Sequence, residues 1–234
     1  MITVHRSEER THINYGWLDA HHTFSFASDD NPERMGFRKL RIINEDRVAP
    51  GRGFGSHAHQ DMEIITYVLS GSLVHRDNMG HQEVLGPNEV QRMSAGTGVV
   101  HSEFNASKTQ PVHLLQIWIE PATTGTPSSY EQFKFDPEEK KSKLRQIAGP
   151  DGGAGVAHIN QDAKVFISEV ASNNEMSYPL VRGRYAWLHV IRGSVTVNGT
   201  ALKTGDAAAF SDETQLRIDG AEKEPAEILL FDLA

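Results

Sequence analysis

The chain has 234 residues, 38% of them hydrophobic, enough for one large domain or for two of about a hundred residues, each with its own core. Its 23 basic residues are outnumbered by 31 acidic ones, a formal charge of −8, and no Lys or Arg run offers the basic face that phosphate neutralisation needs, so direct nucleic-acid binding is not expected. Cysteine is absent, which removes disulfides, thiolate ligands and thiol nucleophiles together and leaves any metal to His and carboxylate.

Residues 1–10 carry His5, Arg6, Glu8, Glu9 and Arg10 and lack the apolar core of a secretory signal. No run approaches the roughly 18 apolar residues of a membrane helix, so a cytoplasmic location away from membranes is expected. His21 and His22 resemble a ligand pair, but neighbours in a strand face opposite ways, so at most one points inward. Phe24 and Phe26 alternate and read as core rather than as a substrate platform.

From residue 38 to 119 the chain is a series of short β-rich runs cut by turn residues. The runs at 40–43, 64–69, 73–75, 84–85, 90–93, 99–104 and 113–119 are separated by Ser70-Gly71, Asp77-Asn78-Met79-Gly80, Gly86-Pro87-Asn88 and Gly96-Thr97-Gly98. This spacing predicts a double-sheet jelly roll. Within the series lie His57-Ala58-His59 and His101-Ser102-Glu103. In a strand, residues i and i+2 project from one face, so each pair aims two donors at one point. His57, His59, Glu63, His101 and Glu103 all have the parity to face one interior. Imidazoles with carboxylate suit iron, manganese, nickel, copper or zinc better than calcium or magnesium. His75, His81, His113, His158 and His189 are singles without a partner at ligand spacing, and most read as structural or exposed.

Residues 121–155 change character. Asp136 as N-cap, Pro137 at the first helical position and Glu138-Glu139 in the first turn predict a short helix in an inter-domain connector. Lys140, Lys141 and Lys143 would form its solvated face. A second β-rich series begins near Val165 and includes 187–191, 195–197, the Asn198-Gly199 hairpin turn and 228–233. Residues 67–72 (Tyr-Val-Leu-Ser-Gly-Ser) resemble residues 189–194 (His-Val-Ile-Arg-Gly-Ser), a weak internal repeat. Counting back from Gly193 as from Gly71 places Pro179 and Val181 where His57 and His59 stand. The expected organisation is therefore all-β: a metal-binding domain over 1–135 and a ligand-free copy over 136–234.

The spacing Gly51-x5-His57-x-His59-x3-Glu63, then Gly98-x2-His101-x3-Asn105, resembles the two-part cupin signature. The segments Gly16-Trp17-Leu18-Asp19, His22-Thr23-Phe24-Ser25-Phe26, Gly53-Phe54-Gly55-Ser56-His57 and Met93-Ser94-Ala95-Gly96-Thr97-Gly98 narrow the resemblance to the pirin family, a branch of the bicupins. Seven residues between Glu63 and Gly71, and Gly96-Thr97-Gly98 in place of Pro-x-Gly, depart from the general cupin pattern as pirins do. The resemblance implies two cupin jelly-roll barrels in tandem. It implies a single divalent metal, Fe(II) first with zinc, manganese, nickel, cobalt and copper as alternatives, held by His57, His59, His101 and Glu103. Glu63 is then expected to orient an imidazole instead of touching the metal.

Four protein ligands leave room on a five- or six-coordinate ion for a substrate. The likeness is greatest to bacterial pirins with quercetin 2,3-dioxygenase activity. It implies that a flavonol binds through its 3-hydroxyl, with Glu103 accepting the proton, and that O2 then cleaves the ring with loss of carbon monoxide to give a depside. Phe54 and Met62 would shelter the aromatic ligand. The alternative class is an iron-dependent redox sensor that meets a protein partner without turnover. Oxygen uptake with quercetin separates the two.

Overall fold

The computed structural model describes residues 1–26 and 31–234. Among them are twenty-two strands and three 3-10 turns, and no helix is long and apolar enough to cross a membrane. The chain forms two compact units. One comprises residues 10–135 and 151–161; the other comprises 1–9, 136–150 and 162–234.

In the first unit a seven-stranded antiparallel sheet runs Ser129–Lys134, Glu89–Ser94, Glu63–Ser70, Val112–Ile119, Leu40–Val48, Leu18–His22, Thr11–Asn14. A four-stranded sheet runs Gly53–His59, Val99–Asn105, Leu73–Asp77, Gln82–Leu85. Alternation decides which side chains lie between them. In Val99–Asn105 the odd residues are buried, while Val100 and Phe104 are exposed. Leu18, Ala20, Val48, Val68, Val112 and Leu114 from the larger sheet pack with Leu73 and Leu85 from the smaller. Each large aliphatic side chain buried there contributes about 1.5–3 kcal/mol over exposure.

The second unit repeats this order over six strands of the larger sheet and all four of the smaller. Its larger sheet runs Ile2–His5, Ala207–Phe210, Tyr185–Arg192, Ala226–Leu233, Ala163–Val170, Arg145–Gly149, and its smaller sheet Glu175–Pro179, Gln215–Gly220, Ser194–Val197, Thr200–Lys203. The outermost place that Ser129–Lys134 fills in the first unit is filled here by the N-terminal strand. Gly71 and Gly193 occupy the same turn, both at φ 76°; a Cβ would stand 2.6 Å from the Pro111 carbonyl at one and 2.7 Å from that of Pro225 at the other. The weak repeat in the sequence is thus a repeat of backbone geometry. Glu175–Pro179, in the place of the strand bearing His57 and His59, contains no histidine.

The expected connector helix is corrected to a single 3-10 turn, Pro137–Lys140. Its Asp136–Glu139 capping box is intact, but Lys141 is already extended and the flanking residues enter strands. Capping fixes where a helix starts, and an apolar face on following turns is needed to continue it. Lys140 is also not on a solvated face: it is buried, with Nζ 2.6 Å from Glu227.

Candidate metal centre

His57 and His101 stand directly opposite each other in neighbouring strands, which places both rings on the inner face. Their ring centroids are 4.4 Å apart, and His59 lies 4.8 Å from each. One ring nitrogen from each of the three lies within 4.8 Å of the others, so the three imidazoles converge on one point. Just beyond His101 the register shifts, with Glu103 opposite Phe54 rather than Gly55. This bulge turns Phe54 inward while leaving the histidine pair in step.

Hydrogen bonds fix the ring tautomers. A carbonyl only accepts, so His57 Nδ1 carries the proton given to the Gly55 carbonyl at 2.7 Å, which in the neutral ring leaves the lone pair on Nε2. His75 Nε2 is 3.0 Å from Asp77 Oδ2, and His75 Nδ1 faces His101 Nδ1 at 3.4 Å. Burial works against the Asp77 charge, but hydrogen bonds from His75 and His81 outweigh it and hold the carboxyl below its usual range. An ionised Asp77 accepts a hydrogen bond from His75 Nε2, His75 Nδ1 then accepts from His101, and His101 Nε2 is left with its lone pair toward the cluster. That nitrogen is buried and has no hydrogen-bond partner among the described residues.

Electrostatics favour neutral rings. Burial, then the neighbouring His57, lowers His59 to about 4; burial, then His57 and His59, lowers His101 to about 3. Neutral imidazoles within reach of one point, one of them with an orphaned buried nitrogen, are what a borderline divalent cation binds. The residues fit a transition metal. Glu103, 3% exposed, forms a second close group with His75 and His101. Gln116 Nε2 donates to its Oε2 at 2.8 Å and Thr66 adds a further hydrogen bond; burial nevertheless raises its affinity for a proton.

His57, His59, Glu103 and Gln116 open onto a cavity of about 460 Å³. Trp17, Phe26, Phe54 and Trp118 supply its aromatic wall, with Trp118 edge-on to His59 at 4.8 Å and to Phe26 at 5.4 Å. Phe26 is therefore cavity wall and not core, whereas Phe24 is buried. Phe54 lines the cavity as expected, but Met62 packs on Ile64, Met93 and Val99. Asn44 and Asp46 also line it, with His22. Burial, then the charges of Glu103 and Glu45, raises Asp46 to about 7.

Two other expectations are corrected. Glu63 is buried, yet its carboxylate accepts from Ser94 Oγ at 2.6 Å and Asn160 Nδ2 at 2.8 Å and meets no imidazole. Asp61, at φ 48°, breaks the strand between His59 and Glu63, so shared parity did not carry across. His75 and His81 are partners of Asp77 behind the cluster rather than isolated singles. His21 turns away from the cavity that His22 lines; it groups with His12 and Asp19, where the carboxylate already holds His12 at 2.7 Å.

Residues 3–119 match the pirin family model and residues 146–233 the quercetinase C-terminal cupin domain. The chain belongs to the pirin family and is built of two cupin domains, the first bearing the histidine cluster. Over 233 residues it is 42% identical to a quercetin 2,3-dioxygenase of Escherichia coli K12, spanning 100% of this chain and 99% of that one. A putative quercetin 2,3-dioxygenase of Pasteurella multocida is 40% identical over 237 residues, with both chains fully covered. The crystal structure of the E. coli bacterial pirin YhhW in complex with nickel(II) superimposes with a TM-score of 0.94 at 41% identity, over 100% of this chain and 99% of that one.

Proposed function

We propose that this protein is a metal-dependent dioxygenase that opens flavonols such as quercetin with O2, releasing carbon monoxide and a depside. The observation that carries the reading is the buried Nε2 of His101, without a hydrogen-bond partner among the described residues, beside His57 and His59, which line an aromatic cavity of about 460 Å³. The named activity of relatives that match along the whole chain supports the same reaction.

His57, His59 and His101 would hold the metal, with Glu103 as the fourth ligand. Glu103 lies on the same inward face as His101, two residues on, and its carboxylate is positioned by Gln116 and Thr66. A bound divalent cation would supply positive charge at the substrate's 3-oxygen and 4-keto oxygen and make the 3-hydroxyl a stronger acid. Glu103, whose burial favours its protonated form, takes that proton at a carboxylate oxygen. Trp118, Phe26 and Phe54 keep the ring system dry and in place. Iron(II) is our first choice of native ion, and the nickel-bound relative supports a site that also accepts other borderline metals.

The test is oxygen uptake with quercetin by protein loaded separately with iron(II), nickel(II) and manganese(II), with carbon monoxide measured in the headspace. One carbon monoxide per O2, lost in His57→Ala and His101→Ala, is the expected result. No turnover with any metal overturns the reading and favours a redox-sensing, partner-binding role.

A further inference from the structure

Leu40–Val48 crosses the middle of the larger sheet, and its residues 44 and 46 interrupt an otherwise apolar inner face. Asn44 and Asp46 are 3% and 5% exposed, both line the cavity, and Asn44 Oδ1 and Asp46 Oδ1 have no hydrogen-bond partner among the described residues. The polar neighbour on the adjoining strand is already engaged. Gln116, directly opposite Asn44, gives its amide N–H to Glu103 and accepts from Trp118 Nε1 at 3.2 Å. Asp46 stands one step further along the strand, between Ala20 and Leu114, where the small Ala20 side chain leaves the carboxyl open. Asn44 and Asp46 thus lie two residues apart on one face of the strand, about 7 Å apart at their backbone positions, along the cavity wall. A buried acceptor without a donor is unfavourable, and proteins retain such groups where a ligand completes them.

We propose that Asn44 and Asp46 form a hydroxyl-recognition subsite that selects aromatic substrates carrying phenolic hydroxyls beyond the metal-chelating pair. This rests on the dioxygenase reading for the chelating end of the substrate, while the subsite itself is read from the strand. A site built to accept from a hydroxyl discriminates strongly against the analogue lacking it, because the acceptor is then left buried and unpaired. The subsite therefore ranks polyhydroxylated flavonols above 3-hydroxyflavone, which has only the chelating oxygens.

Binding is measured anaerobically by tryptophan fluorescence quenching in the nickel-loaded protein, and KM and kcat aerobically, for quercetin and 3-hydroxyflavone. The wild type is expected to bind quercetin at least about tenfold more tightly. Asp46→Leu loses about tenfold or more for quercetin and is unchanged for 3-hydroxyflavone; Asp46→Asn, which keeps an acceptor, retains most of the preference. Because Leu removes a buried unpartnered carboxyl, this variant melts no lower than wild type, which separates lost recognition from lost folding. Equal affinity for both flavonols in the wild type, or an equal loss for both in Asp46→Leu, overturns the proposal, as does failure of quercetin to bind. Selective binding without turnover would leave the subsite standing and remove the dioxygenase reading alone.

Discussion

Gly53→Ala tests whether metal affinity depends on the close approach of the two site-bearing strands. A Cβ built at residue 53 lies 2.2 Å from the Glu103 carbonyl oxygen and 2.5 Å from the Phe104 Cα, and real Cβ atoms do not come within 3.0 Å of such neighbours. Both contacts are backbone, so no side-chain rotation relieves them. The strand 53–59 must withdraw from 99–105 by about 0.8 Å, the difference between 3.0 and 2.2 Å, or lose the end of its ladder. The bulge next to His57 passes that displacement toward the cluster. Misplacement of about 1 Å costs on the order of a hundredfold in a reaction that depends on positioning, and overpacking costs about 1–3 kcal/mol of stability. Nickel affinity by chelator competition is expected to fall ten- to a hundredfold, quercetin turnover about a hundredfold, and the melting temperature by roughly 4–10 °C. A variant with wild-type affinity and turnover would refute the idea that this contact sets the spacing of the imidazoles.

His75→Phe removes the acceptor that fixes the His101 tautomer without touching the metal point, and about ten- to a hundredfold weaker nickel binding is expected, with His75→Ala no better; unchanged affinity would show that His101 is oriented by packing alone. Glu63→Gln should lower stability by about 1–3 kcal/mol through its contacts to Ser94 and Asn160 while leaving one metal per chain, and loss of the metal would return Glu63 to the ligand set. For the metal-free protein, the unfolded chain protonates its histidines near pH 6.5 whereas folded His59 and His101 wait until about 4 and about 3. The unfolded state therefore binds more protons across that window, and stability falls as the pH drops from about 6.5 toward 3. Thermal melts of metal-free wild type and His101→Ala read this directly: the variant should lose part of the slope, and parallel curves would contradict neutral buried imidazoles.

The two same-face pairs were legible because their signal is local: alternation in one strand puts His57 with His59 and His101 with Glu103 whatever surrounds them. Glu63 misled because the same alternation was carried across a turn that Asp61 makes with a left-handed backbone. His75 was missed as a single, although His75-x-Asp77 is itself a same-face pair, and its link to His101 required the cross-strand register. Asn44 and Asp46 likewise alternate in a strand otherwise rich in Leu, Ile and Val, a signal available but not weighed. That residues 1–9 belong to the second unit had no local signature, since their pairing is set by a strand about two hundred residues away.

Metal stoichiometry and coordination geometry bear most directly on the cluster. X-ray absorption of nickel-loaded protein, read beside elemental analysis of wild type and the His57→Ala, His101→Ala and Glu103→Gln variants, should give one ion per chain with three imidazole nitrogens and at least one oxygen, and weakened or abolished binding in all three variants. An ion that stays bound at full stoichiometry and unchanged coordination after His57→Ala and His101→Ala would contradict the centre described.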